Sequence, residues 1–383
     1  QVKRRAAWPA RSDRGDAGMA AARPEPLFHW FIPIDGDGSR LGTQRAERPP
    51  DFDYLRQVVQ TAEAQDFHGL LIPTRFVNGL FDEGAPLMET WTTATALAAV
   101  TQRIRFLIAV RPGFIAAGLL AKMVATLDQI SGGRVDINIV PGGIRHDFER
   151  LGVDSDHAGR YEEAEELMHA CRVLWEGGLT DFAGRHVTLR GARCAPGPFG
   201  NPRFYQGGAS PRAEALAARQ ADVYLLWIEP LEAIAARIER VQAAFSANGR
   251  VPAFGLRTHL VVRDDADEAW EAAHSLIADA DPDVLRQRQA VGNGGLLAAA
   301  GGDPHRLGER LWSGLSTVRV NCGSALVGTP QQVAEELYAY WKLGVDEFIL
   351  SGFPHVEESV RVREAVLPRL RACIAAASSE RQP

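Results

Sequence analysis

The sequence predicts an α/β fold, a (β/α)8 TIM barrel with insertions. Eight short apolar segments alternate with segments of helical periodicity along the 383 residues. Their number and even spacing favour one barrel over two Rossmann halves, and no G-x-G-x-x-G motif follows the first strand. A single barrel commonly reaches this length when it carries insertions.

Each predicted strand is a short run of aliphatic, aromatic or β-branched residues. The predicted strands cover residues 27–33, 69–73, 105–109, 135–140, 203–206, 223–227, 254–263 and 347–350. Between them, apolar residues recur every three or four positions, which is typical of amphipathic helices. The predicted helices cover residues 53–66, 89–100, 115–130, 159–176, 230–247, 330–342 and 356–372, with two more beginning at 211 and 267. Because parallel strands need crossover connections, this alternation indicates a parallel sheet.

The two ends of the chain fall outside this alternation. Residues 1–26 are rich in Arg, Ala and Pro without periodicity, and we expect a disordered N-terminal tail there. They contain no apolar segment of the kind found in secretory signals. The barrel itself is expected to span 27–375, and residues 376–383 to form a short C-terminal tail.

Three internal segments also interrupt the pattern. Residues 179–190 are predicted to form a small hairpin. Residues 74–88, called here the long loop, contain Gly, Pro, Asp and two Phe without regular spacing, and loops of this length are often functional. The glycine-rich segment 281–325, called here the insertion, is predicted to be a mobile lid over a site.

Composition narrows the function classes. A net charge of −6 with a pI near 6.0 gives no basic surface for nucleic acid. No apolar run approaches the length of a membrane span. The four cysteines are scattered without a C-x-x-C pair, which indicates a reducing cytoplasm and gives no support for structural zinc. The histidines show no metal-ligand spacing, so no metal is expected.

The predicted seventh strand carries the strongest functional signal. Arg257 and His259 share one face of the strand, because side chains alternate between the two faces. Burying both groups without partners is costly, so they need an anion, a carboxylate or an open cleft. The alternative interpretation is a structural ion pair for the arginine and a backbone carbonyl for the histidine.

Other polar and aromatic residues are predicted at the same end of the barrel. Ligand sites in such barrels lie at the carboxyl ends of the strands. The residues expected there, besides the pair on strand seven, are Asn138, Trp227, Arg319, Ser351, Phe353 and His355. Cationic and protonatable groups that converge with aromatic rings suit a small anionic organic substrate. Alternatively, Trp227 packs in the core and Arg319 is solvated.

The run Gln206 to Pro211 joins a predicted strand to a helix. Glycines at 207 and 208 allow the backbone to approach a ligand, and the helix N-terminus offers unpaired N–H groups and positive potential. Such a turn after a late barrel strand is typical of phosphate binding, although tight packing alone also requires glycine.

Together these residues resemble the bacterial luciferase-like flavin monooxygenases, and most closely the two-component alkanesulfonate monooxygenases. The resemblance extends from about residue 28 to 370. The segments that carry it are Gly36-Asp37-Gly38, Leu41-Gly42-Thr43, Gly69-Leu70-Leu71-Ile72-Pro73-Thr74, Ala125-Thr126-Leu127-Asp128, Gly133-Arg134, Asp156-His157, Arg160-Tyr161-Glu162, Gln206-Gly207-Gly208-Ala209-Ser210, Phe254-Gly255-Leu256-Arg257-Thr258-His259, Ala325-Leu326-Val327-Gly328 and Leu350-Ser351-Gly352-Phe353-Pro354-His355-Val356-Glu357-Glu358.

This resemblance implies an enzyme that uses reduced FMN and dioxygen. A separate NAD(P)H-dependent flavin reductase would supply the FMNH2, and oxygenation of the carbon that bears a sulfonate would yield an aldehyde and sulfite. The family also implies a homo-oligomer. The site residues it implies are Gly208, Ala209, Ser210 and Tyr161 for the FMN phosphate, Asn138 and His157 nearby, Arg257, Arg319 and Trp227 for the sulfonate, and His259 and His355 for proton transfers.

Two positions depart from the family pattern. Phe353, which would line the substrate site, stands where the family has a tyrosine, and the family's active-site cysteine has no counterpart, since Leu87 or Met88 lies closest. The long loop, with Arg75 and Phe76, would then reshape specificity. Three alternatives stay open: a non-sulfonate substrate of specialised metabolism, a deazaflavin-dependent oxidoreductase, and a non-catalytic flavin-binding relative.

Overall fold

The computed structural model describes residues 23–142, 145–153, 156–291 and 305–379. Its strands are β1 (Leu27–Phe31), β2 (Gly69–Ile72), β3 (Arg105–Val110), β4 (Val135–Ile139), β5 (Thr180–Ala183), β6 (Thr188–Ala192), β7 (Phe204–Gly207), β8 (Val223–Trp227), β9 (Ala253–Val262), β10 (Leu311–Trp312), β11 (Ala325–Gly328) and β12 (Glu347–Ser351). Its helices are α1 (Phe52–Ala64), α2 (Thr90–Ala99), α3 (Ala117–Ser131), α4 (Arg145–Arg150), α5 (His157–Glu176), α6 (Pro211–Gln220), α7 (Leu231–Ala247), α8 (Ala266–Ile277), α9 (Pro282–Val291), α10 (Pro330–Leu343), α11 (His355–Arg361) and α12 (Leu367–Ser379).

Eight of these strands close into a parallel barrel. Their order is β1-β2-β3-β4-β7-β8-β9-β12, and β12 returns to pair with β1. The prediction of a (β/α)8 barrel is therefore confirmed. Each barrel strand begins and ends within two residues of the predicted range, because short apolar runs bounded by turn residues mark buried strands clearly.

The interruptions of the barrel are only partly as predicted. The hairpin is confirmed as the antiparallel pair β5 and β6. Within the described part of the insertion, α9 precedes the antiparallel pair β10 and β11, and a 3₁₀ turn at Gly314–Thr317 lies between these two strands. β11 pairs in parallel with the end of β9, a contact that the sequence pattern did not predict. Residues 292–304 of the insertion lie outside the described residues.

Both predicted tails need correction where they are described. Arg23 donates to the carbonyl of Val345 at 2.8 Å, and Trp341 donates to the carbonyl of Pro24 at 3.3 Å, so residues 23–26 are attached to the domain. The predicted closing helix is two helices, α11 and α12, joined by a π-helical turn at Val362–Val366, and α12 continues to Ser379. Residues 1–22 and 380–383 lie outside the described residues.

Local capping explains where the helices begin. Before α10, the side chain of Thr329 accepts from the backbone of Gln332 while the Gln332 side chain accepts from Thr329, and Pro330 occupies the first turn. Gly344, with φ +124, ends the helix. None of the described helices is long and apolar enough to cross a membrane.

The barrel wall separates two apolar layers. Outward residues of every barrel strand pack against the helices in the large core cluster. Inside, a smaller apolar layer fills the middle of the barrel. Its members are Phe31, Leu71, Leu107, Tyr205, Val223 and Ile349. Polar groups lie inside the barrel above and below this layer, and the upper group faces the carboxyl ends of the strands.

Candidate active site at the carboxyl ends of the strands

Alternate residues of β9 point to opposite sides of the wall, as predicted. The outward residues are Phe254, Leu256, Leu260 and Val262. Arg257 is buried on the inner face, where its guanidinium donates to Ser351 Oγ at 2.9 Å and to the carbonyls of Thr258 and Ile349. Its Nε makes no hydrogen bond, and no carboxylate of the described residues forms an ion pair with it. Burial, together with the neighbouring Arg319, lowers the pKa of Arg257 to about 9, so it is charged at neutral pH.

His259 lies one layer above Arg257 on the same face. Its Nδ1 is 2.7 Å from Ser351 Oγ, and its Nε2 is 3.4 Å from the Arg257 guanidinium and 3.2 Å from Cys322 Sγ. The Phe353 ring stacks on it with centroids 5.8 Å apart. Burial first, and then the charge of Arg257, hold the pKa of His259 well below its ordinary value, so the ring is neutral at neutral pH.

Arg319 and Arg75 bring two more buried cations to the same place. Their side chains are 2% and 8% exposed, so neither is solvated. Both approach one carboxylate oxygen, Asp35 Oδ2, at 3.8 Å for Arg319 and 3.6 Å for Arg75. Neither oxygen of Asp35 accepts a hydrogen bond, and both terminal nitrogens of Arg319 lack an acceptor. Asp35 is therefore too distant to satisfy either guanidinium.

Two phenylalanines enclose these charges. The Phe31 ring lies under both guanidiniums, with its centroid 4.6 Å from the Cζ of Arg257 and 4.8 Å from that of Arg319. The Phe353 centroid is 5.5 Å from Arg319. Aromatic faces stabilise buried cations and exclude water. We call the group formed by Phe31, Asp35, Arg75, Arg257, His259, Arg319 and Phe353 the cationic cup.

His355 borders the cup from the start of α11. It is fully buried, its ring meets that of Phe353 edge-on at 5.1 Å, and neither ring nitrogen makes a hydrogen bond of good geometry. Its backbone N–H donates to Asp37 at 2.6 Å, which fixes the beginning of the helix. Burial and the charge of Arg319 hold the pKa of His355 well below its ordinary value. Both histidine rings are thus neutral at neutral pH.

The long loop is held in place by one asparagine. The side-chain oxygen of Asn78 accepts from the backbone of Leu80 and Phe81 at 3.0 and 2.8 Å. Its amide donates to the carbonyls of Asp35 and Pro86 at 2.8 and 2.9 Å. Because every polar atom of this side chain is used, the long loop has a defined path over the barrel mouth.

The long loop and the insertion also hold each other. Arg75 donates to the carbonyl of Val320 at 2.9 Å, and the Val320 N–H donates to the carbonyl of Gly79 at 2.9 Å. A further buried arginine, Arg288 of α9, donates to the carbonyl of Val318 at 3.1 Å. These contacts fix both Arg75 and Arg319 on backbone that lies outside the barrel strands.

Trp227 and Asn138 lie at the rim. Trp227 is 40% exposed and 6.0 Å from the Cζ of Arg257, so it is not a core residue. Gly323 packs against its indole so closely that a Cβ there would lie 2.5 Å from the ring. Asn138 is half-buried on the inner side of β4, beside Tyr205 of β7. Neither side chain is fully buried, so both are accessible at the rim.

The turn after β7 is the glycine turn that the sequence analysis interpreted as a binding site for an anion. Gly208 has φ +137, and a Cβ there would lie 2.7 Å from the Cβ of Ala213, so only glycine fits. Ser210 caps α6 by accepting from the Ala213 N–H at 3.2 Å. Ala209 is exposed at the apex. The first turn of α6 therefore presents backbone N–H groups toward an open surface.

Tyr161 comes to the same turn from α5. Its hydroxyl is 3.7 Å from the point at which a Cβ of Gly208 would lie. Beneath the turn, Gln206 keeps a buried side-chain oxygen without a partner. The turn adjoins the rim in the sheet, because Gly207 pairs with Leu225, two residues before Trp227. His157 begins α5, but its side chain lies outside the described residues. A phosphate group fits the donors present here.

The structure thus brings together Arg257, His259, Arg319, Phe353 and His355 as predicted. It adds three participants that the sequence reasoning did not identify as such. These are Phe31, Asp35 and Cys322. Phe31 ends β1 and Asp35 follows it, so a search of the carboxyl end of this strand, like that made for the other strands, could have found both. Cys322 shows that a thiol does reach this pocket, by way of the insertion. Among the described residues no cluster of three metal-ligating side chains occurs.

The fold is a (β/α)8 barrel, and buried arginine side chains gather at the carboxyl ends of its strands. The model of the luciferase-like monooxygenase family matches residues 27–347. The chain belongs to this family of flavin monooxygenases, as its sequence motifs predicted.

Solved structures with the same fold differ widely in what they bind. A riboflavin lyase, RcaE, solved with modified FMN and riboflavin, has a TM-score of 0.75 and 20% identity, over 91% of this chain and 92% of that one. DmoA from Hyphomicrobium sulfonivorans has a TM-score of 0.72 and 21% identity, over 91% and 88%. An F420-dependent secondary alcohol dehydrogenase, in complex with an F420-acetone adduct, has a TM-score of 0.66 and 15% identity, over 91% and 100%. At these identities the similarity establishes the fold alone.

Proposed function

We propose that this chain is an FMNH2- and O2-dependent monooxygenase that acts on a small anionic organic substrate, and that the reaction is cleavage of the C–S bond of an organosulfonate. The observation that carries the proposal is the cationic cup. Among the described residues, Arg257 has no carboxylate partner and Arg319 has only Asp35, at 3.8 Å without a hydrogen bond, and both arginines contact Phe31. Unpaired buried guanidiniums are costly unless an oxyanion completes them, and a sulfonate is such an anion.

The cofactor assignment rests on the turn after β7. Gly208, Ala209, Ser210 and Tyr161 would hold the phosphate of FMN, and Asn138 would lie beside the ring system. When bound, reduced FMN supplies the electrons with which dioxygen is activated. A separate NAD(P)H-dependent flavin reductase would deliver it, since the described residues carry no second nucleotide-binding motif that we identify. A homo-oligomer is an expectation from the family.

The chain's own residues would orient the substrate and move protons. Arg257 and Arg319 would hold the sulfonate oxygens, while Phe31 and Phe353 exclude water. One oxygen atom of O2 would go to the carbon and the other to water, and the C–S bond would break to release sulfite. The carbon loses a proton in forming the aldehyde, and a neutral His259 is placed to accept it. An anion bound at Arg257 would raise the low pKa of His259, so its basicity would increase when substrate arrives.

The decisive experiment is sulfite release. The full chain with FMN, NADH and a flavin reductase is incubated with a panel of alkanesulfonates, and sulfite and aldehyde are measured. We expect equal amounts of both products from at least one substrate. A protein that consumes oxygen productively with non-sulfonate substrates, and yields no sulfite from any sulfonate, would contradict the sulfonate reaction and favour a substrate of specialised metabolism.

A glycine substitution tests the cofactor assignment. Gly208→Ala places a Cβ against Ala213, so we expect the affinity for reduced FMN to fall by about tenfold or more, measured anaerobically by fluorescence. Gly118→Ala in α3, where nothing lies within 4 Å of the added Cβ, is the control and should bind FMN normally. Tight, selective binding of reduced deazaflavin instead of FMN would overturn the assignment.

A further inference from the structure

The charges of the cationic cup do not balance. It contains three guanidinium groups, from Arg75, Arg257 and Arg319, and one carboxylate, from Asp35. Among the described residues no other carboxylate pairs with these arginines. Asp35 lies between two of them at 3.6 and 3.8 Å and accepts a hydrogen bond from neither. Among the described residues, the cup therefore carries two positive charges without a compensating carboxylate.

The neighbouring titratable groups do not change this count. His259 and His355 are neutral, because burial and the arginines lower the pKa of each ring. Burial raises the pKa of Cys322, so its thiol stays protonated. Arg111, which faces Arg75, is already paired with Asp147 at 2.9 Å.

A further buried cation, Arg288, is bonded to the backbone of the long loop and the insertion. Its guanidinium donates to the carbonyls of Val318 and Asn78, at 3.1 and 3.4 Å. It therefore braces the long loop and adds no free donor to the cup.

We infer that the substrate carries two anionic groups, and that Arg75 of the long loop binds the second one. This inference rests on the proposed function, in which Arg257 and Arg319 bind the first. Arg75 is suited to the role because its Nε lacks an acceptor, while its hydrogen bond to Val320 fixes the guanidinium in the cup. A monoanion would leave one buried cation uncompensated, whereas a sulfonate that also bears a carboxylate matches the charge of the cup.

The experiment compares two ligands that differ by one charge. We would titrate the full chain with 3-sulfopropanoate, a dianion, and with 3-sulfopropanamide, its monoanionic isostere, by calorimetry. We expect the dianion to bind about tenfold more tightly or better, since a charge-assisted hydrogen bond to a buried arginine is lost in the amide. In Arg75→Met this ratio should fall to within about threefold, while amide affinity changes little. Arg75→Lys should retain part of the preference.

A surface arginine gives the matched control. Arg56→Met on α1, where the side chain is 45% exposed, should leave the ratio as in the wild type. Because reduced flavin is itself anionic, the titrations are repeated anaerobically with reduced FMN bound. A ratio that falls to within threefold in that complex would assign the second charge to the flavin and overturn the inference, as would a preference unaffected by Arg75→Met.

The two proposals fail in different ways. If the protein prefers the dianion through Arg75 but releases no sulfite from any sulfonate, the role of Arg75 is supported and the sulfonate reaction is contradicted. If sulfite is released from monoanionic sulfonates and the dianion is not preferred, the sulfonate reaction is supported and the role of Arg75 is contradicted.

Discussion

Both ends of the barrel interior contain buried charges, but the two groups of charges differ in how closely their members are paired. At the amino end, Glu347 is the centre of a closed network. Its two oxygens accept from Arg203 at 2.8 Å, from His29 at 2.9 Å and from Tyr205 at 2.7 Å. Next to it, Asp136 accepts two hydrogen bonds from Arg105 at 2.9 and 3.0 Å. Carboxylates and guanidiniums are equal in number here, and their partners are part of the chain.

At the carboxyl end, in the cationic cup, the same residue types lack such partners. Among the described residues, Arg257 bonds only to neutral groups, and Arg319 approaches Asp35 at 3.8 Å without a hydrogen bond. Removing one member of a closed buried network leaves an uncompensated charge and destabilises the fold, whereas a buried charge without a close partner is a candidate ligand site. This difference supports our proposal that the cationic cup at the carboxyl end binds a ligand, whereas the network at the amino end contributes to stability, as is usual in barrels.

The largest effect is expected from opening the closed network. Glu347→Gln leaves Arg203 without its close carboxylate, so we expect the free energy of unfolding to fall by about 3–5 kcal/mol, measured by urea denaturation. Glu357→Gln is the control, because Glu357 forms an exposed pair with Arg48 that is worth about 1 kcal/mol or less. Equal costs for the two variants would contradict the structural role of the network.

The same network predicts how the stability of the protein depends on pH in acid. Burial alone would raise the pKa of Glu347, but the Arg203 charge and the hydrogen bond from His29 hold it well below its ordinary value. A carboxyl whose pKa is depressed by folding stabilises the protein above its unfolded pKa of about 4.3 and loses that contribution as the pH falls further. The stability difference between wild type and Glu347→Gln should be constant from about pH 6 to 8 and shrink below about pH 4.5. A difference that persists unchanged to about pH 3 would show that charge is not its cause.

Most of the barrel could be predicted from the sequence, and so could part of the site at its carboxyl end. Strand alternation placed Arg257 and His259 on an inner face and the glycine turn beside a helix N-terminus, since both follow from local geometry. It could not show that Arg75 and Arg319 converge on Asp35. These residues lie on irregular segments, whose paths depend on long-range bonds such as that of Asn78 to the carbonyl of Asp35.

The closed network was missed for a related reason. Glu347 begins β12, Arg203 immediately precedes β7 and His29 is the third residue of β1, so the three are far apart in sequence. Single polar residues at the start of apolar strands resemble solvated strand ends. Only barrel closure, which places β12 beside β1, brings Glu347 against His29.

A smaller effect is expected on the pKa of His259. Burial and the charge of Arg257, 3.4 Å away, hold the pKa of this ring low. Arg257→Met removes the charge and keeps the bulk, so we expect the pKa to rise by about one unit toward its ordinary value, followed by NMR of the ring. The same replacement at Arg56 should not move it. An unchanged pKa in Arg257→Met would mean that burial alone controls the ring.

The smallest effect on folding is expected from an arginine of the open site, and it gives the sharpest contrast. Arg257→Met replaces a cation that has no carboxylate partner with an apolar side chain of similar length, so the free energy of unfolding should change by less than about 1 kcal/mol or rise. Arg203→Met, the same substitution at the other end, leaves Glu347 without its arginine partner, so it should lower the free energy of unfolding by about 3 kcal/mol or more. Urea denaturation of both variants without ligand measures the difference. If Arg257→Met is as costly as Arg203→Met, the cationic cup is held together by its own contacts, and its unpaired charge is not kept for a ligand.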